Sequence, residues 1–186
     1  MQCQRFTAAQ SPTASEAPTE EETAFDEPSQ KSWTAAELRY LKAEGEKPDS
    51  EDAEGTVSYG HEQCKTLRGA KGIERVLLMI EDSPEVYENE VKYLCPKYRK
   101  QLTIAERGFS DGNYSVGRSR GDLLVVKPGR YRTQPGTRDC YWERSTKGGK
   151  TIANDFVTNA PSGVTVTIYA SDGGFSSDGC GAWLRQ

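Results

Sequence analysis

The sequence predicts an α+β protein: a disordered N-terminal tether, a small disulfide-bonded helical domain, then an all-β sandwich or barrel-like domain. Three observations predict it. The first 32 residues are polar and without period; four segments with helical spacing follow, up to about residue 106; after Gly108 the chain turns to Gly, Thr, Val and Tyr with frequent turn residues. At 186 residues and 34% hydrophobic content the chain is apolar-poor for one large core, so part of it is expected to stay unfolded. The expected division is 1–32 tether, 33–106 helical domain and 110–186 β domain.

Residues 1–32 are mainly Ala, Ser, Thr, Pro, Gln and Glu, with Phe6 and Phe25 as the two aromatics. Such a composition buries too little apolar surface to offset the entropy of ordering. This segment holds six acidic against two basic side chains, which leaves 22 of each sign in the rest of the chain.

Order is expected to begin at Trp33, where Thr34 and Glu37 have the spacing of a capping box, each taking an orphan N–H of a helix that runs to about Ala43. Gly45 and Pro48 stop that helix. Ser50 can cap a second one carrying Val57, Cys64 and Leu67, ending at Gly69. Ile73, Val76, Leu77 and Ile80 recur as one face of a short third helix. Ser83 with Pro84 opens a fourth, with Tyr87, Val91, Leu94 and Tyr98 as its stripe, and Pro96 is expected to kink or break it.

Seven strands are expected, at 113–117, 122–127, 129–134, 139–144, 150–157, 163–170 and 182–185. The clearest is Val164-Thr-Val-Thr-Ile168, whose alternation puts the aliphatic residues on one face. Pro128-Gly129 and Gly173-Gly174 read as turns. Tyr131, Tyr141, Trp142, Phe175 and Trp183 read as core or half-buried sheet residues rather than a ligand platform.

The five cysteines show no Cys-x-x-Cys and no zinc-type spacing. Cys64 and Cys95 fall in the helical half, and Cys140 and Cys180 in the β half. A bridge in the first would tie the second helix to the fourth, and one in the second an early strand to the last. Each crosslink is worth about 3–4 kcal/mol by loop entropy, and such usage implies an oxidising compartment. Four buried free thiols in a cytosolic protein are the competing reading. Cys3, directly before a polar tether, stands where the lipidated first residue of a bacterial lipoprotein stands, although only Met1 and Gln2 precede it and Gln2 replaces the small residue expected before cleavage.

Two resemblances emerge from these residues. Trp33 to Ala105, above all Cys64 with Tyr93-Leu-Cys-Pro96, resembles a family of small exported helical domains of unknown function from mycobacteria and related actinobacteria. That resemblance implies a Cys64–Cys95 pair. Asp111-Gly-Asn-Tyr-Ser-Val-Gly117, Pro128-Gly-Arg-Tyr-Arg-Thr133, Cys140-Tyr-Trp-Glu-Arg144 and Cys180-Gly-Ala-Trp183 look like the pattern of a β domain in actinobacterial secreted lipoproteins and proteins of their phages. It implies an extracellular module with no catalytic residues to carry over. The stretch Arg118 to Val126 departs from that pattern and reads as a remodelled hairpin.

Chemical motifs are sparse. His61 lies three residues from Cys64, a spacing that makes a nucleophile pair only if the thiol is free. Gly148-Gly-Lys-Thr151 ends like a phosphate loop, but Arg144 stands where its first glycine belongs. Asp172 and Asp178 offer calcium fewer carboxylates than a stable site prefers. Arg120-Gly-Asp122 matches an adhesion tripeptide by chance. No dense basic face suits nucleic acid, and no apolar run reaches the length of a span. The expectation is a non-catalytic extracellular or cell-envelope interaction protein, a surface lipoprotein of an actinobacterium or its phage. It needs no metal or cofactor, binds a protein or envelope ligand, and touches membrane only through a lipid at Cys3. A phage virion decoration protein or superinfection-exclusion factor is the alternative.

Overall fold

The capping box forms as its spacing requires. In a computed structural model describing residues 32–119 and 121–186, Glu37 N–H donates to Thr34 Oγ1 at 3.2 Å and Thr34 N–H donates to Glu37 Oε2 at 2.8 Å, opening α1 (Ala35–Glu44). Gly45, at φ 80°, closes it in the left-handed conformation that glycine adopts without penalty. The expected tether and Cys3 lie outside the described residues.

The second helix, α2 (Ala53–Gly69), is flanked by Asp52; Ser50 instead donates its hydroxyl to Glu46 and to the Lys47 carbonyl in the preceding turn. Next, α3 (Glu74–Glu81) buries Val76, Met79 and Ile80, while Ile73 stays outside the helix and exposed. The expected fourth helix is divided. A 3₁₀ turn (Pro84–Tyr87), a π turn (Glu90–Leu94) and a second 3₁₀ turn (Pro96–Tyr98) precede α4 (Arg99–Ala105). Ser83 sits at φ 75° with no side-chain cap, and the break falls at Cys95-Pro96, where proline cannot continue the hydrogen-bond ladder.

Eight strands follow: β1 (Gly112–Val116), β2 (Leu124–Val126), β3 (Gly129–Gln134), β4 (Thr137–Ser145), β5 (Thr151–Ala160), β6 (Thr165–Ile168), β7 (Gly174–Asp178) and β8 (Ala182–Arg185). They form a five-stranded sheet ordered β2-β1-β7-β4-β5 and a three-stranded sheet ordered β6-β3-β8. The strand absent from the sequence reading is β7, which occupies the middle of the larger sheet between β1 and β4. The stretch from Arg118 to Val126 is no hairpin. It carries the chain back so that β2 pairs parallel to β1, Ser115 opposite Val125.

The two sheets face each other as a sandwich. Between them lie Tyr114 and Phe175 from one sheet and Tyr131, Val166, Ile168 and Trp183 from the other. Phe109 plugs this core, with its ring 4.9–6.2 Å from those of Tyr114, Tyr131, Phe175 and Trp183. Alternation along β8 then serves two cores: Trp183 points into the sandwich, and Leu184 into the helical core of Leu67, Val76, Met79 and Leu102. Trp33–Gln186 is one compact unit, and a side chain at Gly108 would collide with Ile80 and the Trp183 carbonyl at the junction.

Two disulfides are present. Cys64 on α2 joins Cys95 at the helix break, with Cα atoms 5.9 Å apart, and Cys140 on β4 joins Cys180 in the turn between β7 and β8, with Cα atoms 4.4 Å apart. The second bridge therefore ends just before the last strand rather than on it.

Candidate functional site

Residues that could have carried chemistry are committed elsewhere. The Cys64 sulfur is bonded to Cys95, so His61 has no thiol to activate. His61 Nε2 instead lies 2.9 Å from Glu37 Oε1 on the surface, and the hydrogen bonds of Glu37 with His61 and Thr34 pull its carboxyl down to about 2. Both Asp172 oxygens accept from Arg144, at 2.7 and 2.9 Å, and Oδ2 also accepts from Tyr169 N–H. This buried pair, with Arg144 stacked 4.6 Å from the Tyr169 ring centre, fixes the corner before β7. Asp178 lies at the far end of β7 from Asp172, so the two carboxylates do not converge. Among the described residues no group of three or more His, Cys, Asp or Glu side chains could hold a metal ion. Gly148 and Gly149 make the turn between β4 and β5, and Arg120 lies outside the described residues.

Of the aromatics singled out in the sequence, Tyr131, Phe175 and Trp183 are core, Trp142 is half-buried against that core, and Tyr141 faces the other way. Strand alternation places Tyr141 and Glu143 on the outer face of the five-stranded sheet, because Cys140 and Trp142 point inward. Across the ladder Tyr141 stands opposite Phe156, which is 58% exposed, and Glu143 stands opposite Asn154.

Polar contacts hold this face in place. Tyr141 OH donates to Glu143 Oε2 at 2.7 Å and accepts from Asn154 Nδ2 at 3.4 Å, while Thr151 Oγ1 donates to Glu143 Oε1 at 3.1 Å. Beside Tyr141 opens a groove of about 490 Å³, lined by Asp111, Asn113, Ser176 and Asp178. One wall belongs to a relay through the sandwich. Trp183 Nε1–H donates to Ser177 Oγ at 3.0 Å, Ser177 donates to Asp111 Oδ1 at 2.7 Å, and Asp111 Oδ2 accepts Gly181 N–H at 2.7 Å. Asp111 is thus a structural acceptor. A flat aromatic pair bordered by carboxylates and amides can stack on a ligand and accept its hydrogen bonds, and nothing in it is arranged as a nucleophile with a base.

Residues 107–184 match the family model of the Rv1352-like extracellular domain. The match starts just before Phe109 and runs into the last strand, so the β half is what resembles that family, although the match spans less than half of the chain. The description of that domain as extracellular supports an extracellular placement, as do the two disulfides. No curated protein and no solved structure matches the chain.

Tyr141, which the sequence reads as a core or half-buried sheet residue, is half-buried, on the outer face, and Phe156 is not singled out by the sequence. The signal available was their pairing: once β4 and β5 are set in register, an aromatic on each strand occupies the face opposite Cys140.

Proposed function

We propose that this chain is a non-catalytic cell-envelope interaction protein that binds its partner through the outer face of the five-stranded sheet. Carrying this reading is one observation: on the outer face of the five-stranded sheet the half-buried Tyr141 stands opposite the exposed Phe156, next to the Asp111–Asp178 groove. Large aromatics left on a rigid sheet face supply contact area at low entropic cost. The N-terminal stretch acts as a spacer from the envelope with a lipid on Cys3, in an actinobacterium or one of its phages; intact mass of the protein from its host, starting at an acylated Cys3, is the check on that anchoring.

The binding face is tested with a delipidated envelope protein and wall fraction immobilised on beads. Wild-type chain is expected to be retained saturably, and Tyr141→Ala with Phe156→Ala to lose about tenfold or more in retention, as for truncation of two interface aromatics, while both disulfides remain intact. Equal retention of the double variant sinks the reading.

A further inference from the structure

The β half has an uneven distribution of charge that its register makes visible. Its Asp111 end carries Asp111, Asp139 and Asp178, with Arg138 as the cation beside them, since β1 begins, β7 finishes and β4 starts there. At the opposite end β1 finishes at Val116, β2 runs out into Lys127, and β3 begins at Gly129. Arg118, Lys127, Arg130 and Arg185 gather at this second end. Asp172, the carboxylate beside β7 there, is neutralised by Arg144. The acids left nearby are Glu106 and Asp122.

Beside these cations the chain exposes three consecutive aliphatic residues. Leu123, Leu124 and Val125 lead into and form the edge strand β2, and Leu124 is 67% exposed. On a strand packed from one side at least one of them would be covered. Here only Val126 is buried. A depression shared by Val125, Lys127, Arg107 and Arg185 puts aliphatic and cationic groups side by side, and Tyr169 stands exposed where β6 ends.

We infer that this end of the β half seats on an anionic phospholipid surface. Leu124 and Val125 enter the boundary between headgroups and acyl chains, and Arg118, Lys127, Arg130 and Arg185 lie against the phosphates. Charge decides between occupants: two copies brought together here would oppose like charges, whereas an anionic surface complements them. Aliphatic side chains that gain nothing from a soluble anion decide for lipid. This contact is separate from the Tyr141–Phe156 face and from any acyl group on Cys3.

The test uses full-length chain carrying Cys3→Ser, so that no lipid is attached, and co-sedimentation with vesicles of phosphatidylcholine alone or mixed equally with phosphatidylglycerol. Binding is expected on the mixed vesicles and to fall as salt rises from 50 to 500 mM. Arg118→Glu with Lys127→Glu is expected to abolish the preference, because each cation at such a surface is worth about fivefold in binding. Leu124→Ser with Val125→Ser is expected to weaken binding at high salt as well as low. Both sites are exposed, and intact disulfides with unchanged circular dichroism show that each variant folds. Equal binding to both vesicle types, or none, overturns the inference. So does anionic binding that Leu124→Ser with Val125→Ser leaves intact, which would mark attraction to any polyanion.

Discussion

Glu90 is the buried residue whose charge matters most. It is 3% exposed in the π turn, with Tyr40 OH donating to its Oε1 at 2.9 Å, and burial raises its carboxyl above the ordinary range. An acid whose folded pKa is raised binds its proton more tightly in the folded chain than in the unfolded one. The destabilisation is therefore present above the folded pKa and lost as pH falls toward the unfolded value. Glu90→Gln keeps the acceptor for Tyr40 and removes the charge. Its melting temperature is expected to exceed that of wild type by a few degrees at pH 7 and to converge with it near pH 4; a variant that is less stable at pH 7 would show that the carboxylate is held by more than Tyr40. Sequence pattern gave no sign of Glu90, because a glutamate inside a charged helical segment reads as a solvated face. Only the π turn, which shifts Glu90 and Val91 inward together, buries it.

Between α3 and α4 the helical half depends on its crosslink. Residues 84–98 hold only single turns of 3₁₀ and π helix, which contribute few regular hydrogen bonds, and the Cys64–Cys95 bridge ties this segment to α2 across 31 residues. Cys64→Ala with Cys95→Ala is expected to lower unfolding free energy by about 3–4 kcal/mol, read by urea titration, with amide exchange rising first over residues 84–98. What was legible follows the strength of local signals. Thr34 with Glu37, and Pro96 with Cys95, act through neighbouring backbone and could be read directly. The alternation of Val166 and Ile168 likewise matches their burial. Strand β7 was illegible because Gly-Phe-Ser-Ser-Asp has turn composition. It is extended only because β1 and β4 pair with both its edges, and Ser177 is satisfied by Asp111 and Trp183. The candidate face was hidden for a related reason, since Tyr141 and Phe156 are adjacent only through the β4–β5 register.

Across the whole molecule the three-stranded sheet is the shared layer. Its inner face packs on the larger sheet through Trp183, its outer face on α3 and α4 through Leu184, and the Phe109–Trp183 bridge closes the seam, with N–H···O distances of 3.0 and 2.7 Å in the two directions. Because residues 33–186 form one compact unit, the helical and sandwich transitions are expected to coincide in wild type; Leu184→Ala is expected to cost about 2–4 kcal/mol and to separate them, helical circular dichroism being lost before the tryptophan signal of the sandwich. Coincident transitions in the variant would show that the helices lean on other contacts. The position of β8 also sets an order of events. Two of the three buried clusters include residues of β8, which follows the other described elements; the third, around Tyr40, Leu41, Ala53 and Val57, does not. A polypeptide emerging from its N-terminus can complete neither of those two clusters until this stretch is free, and the Cys140 partner, Cys180, arrives just before it. Closure of these two clusters and of the Cys140–Cys180 bridge are therefore coupled late events, whereas Cys64 and Cys95 are both in place well before them.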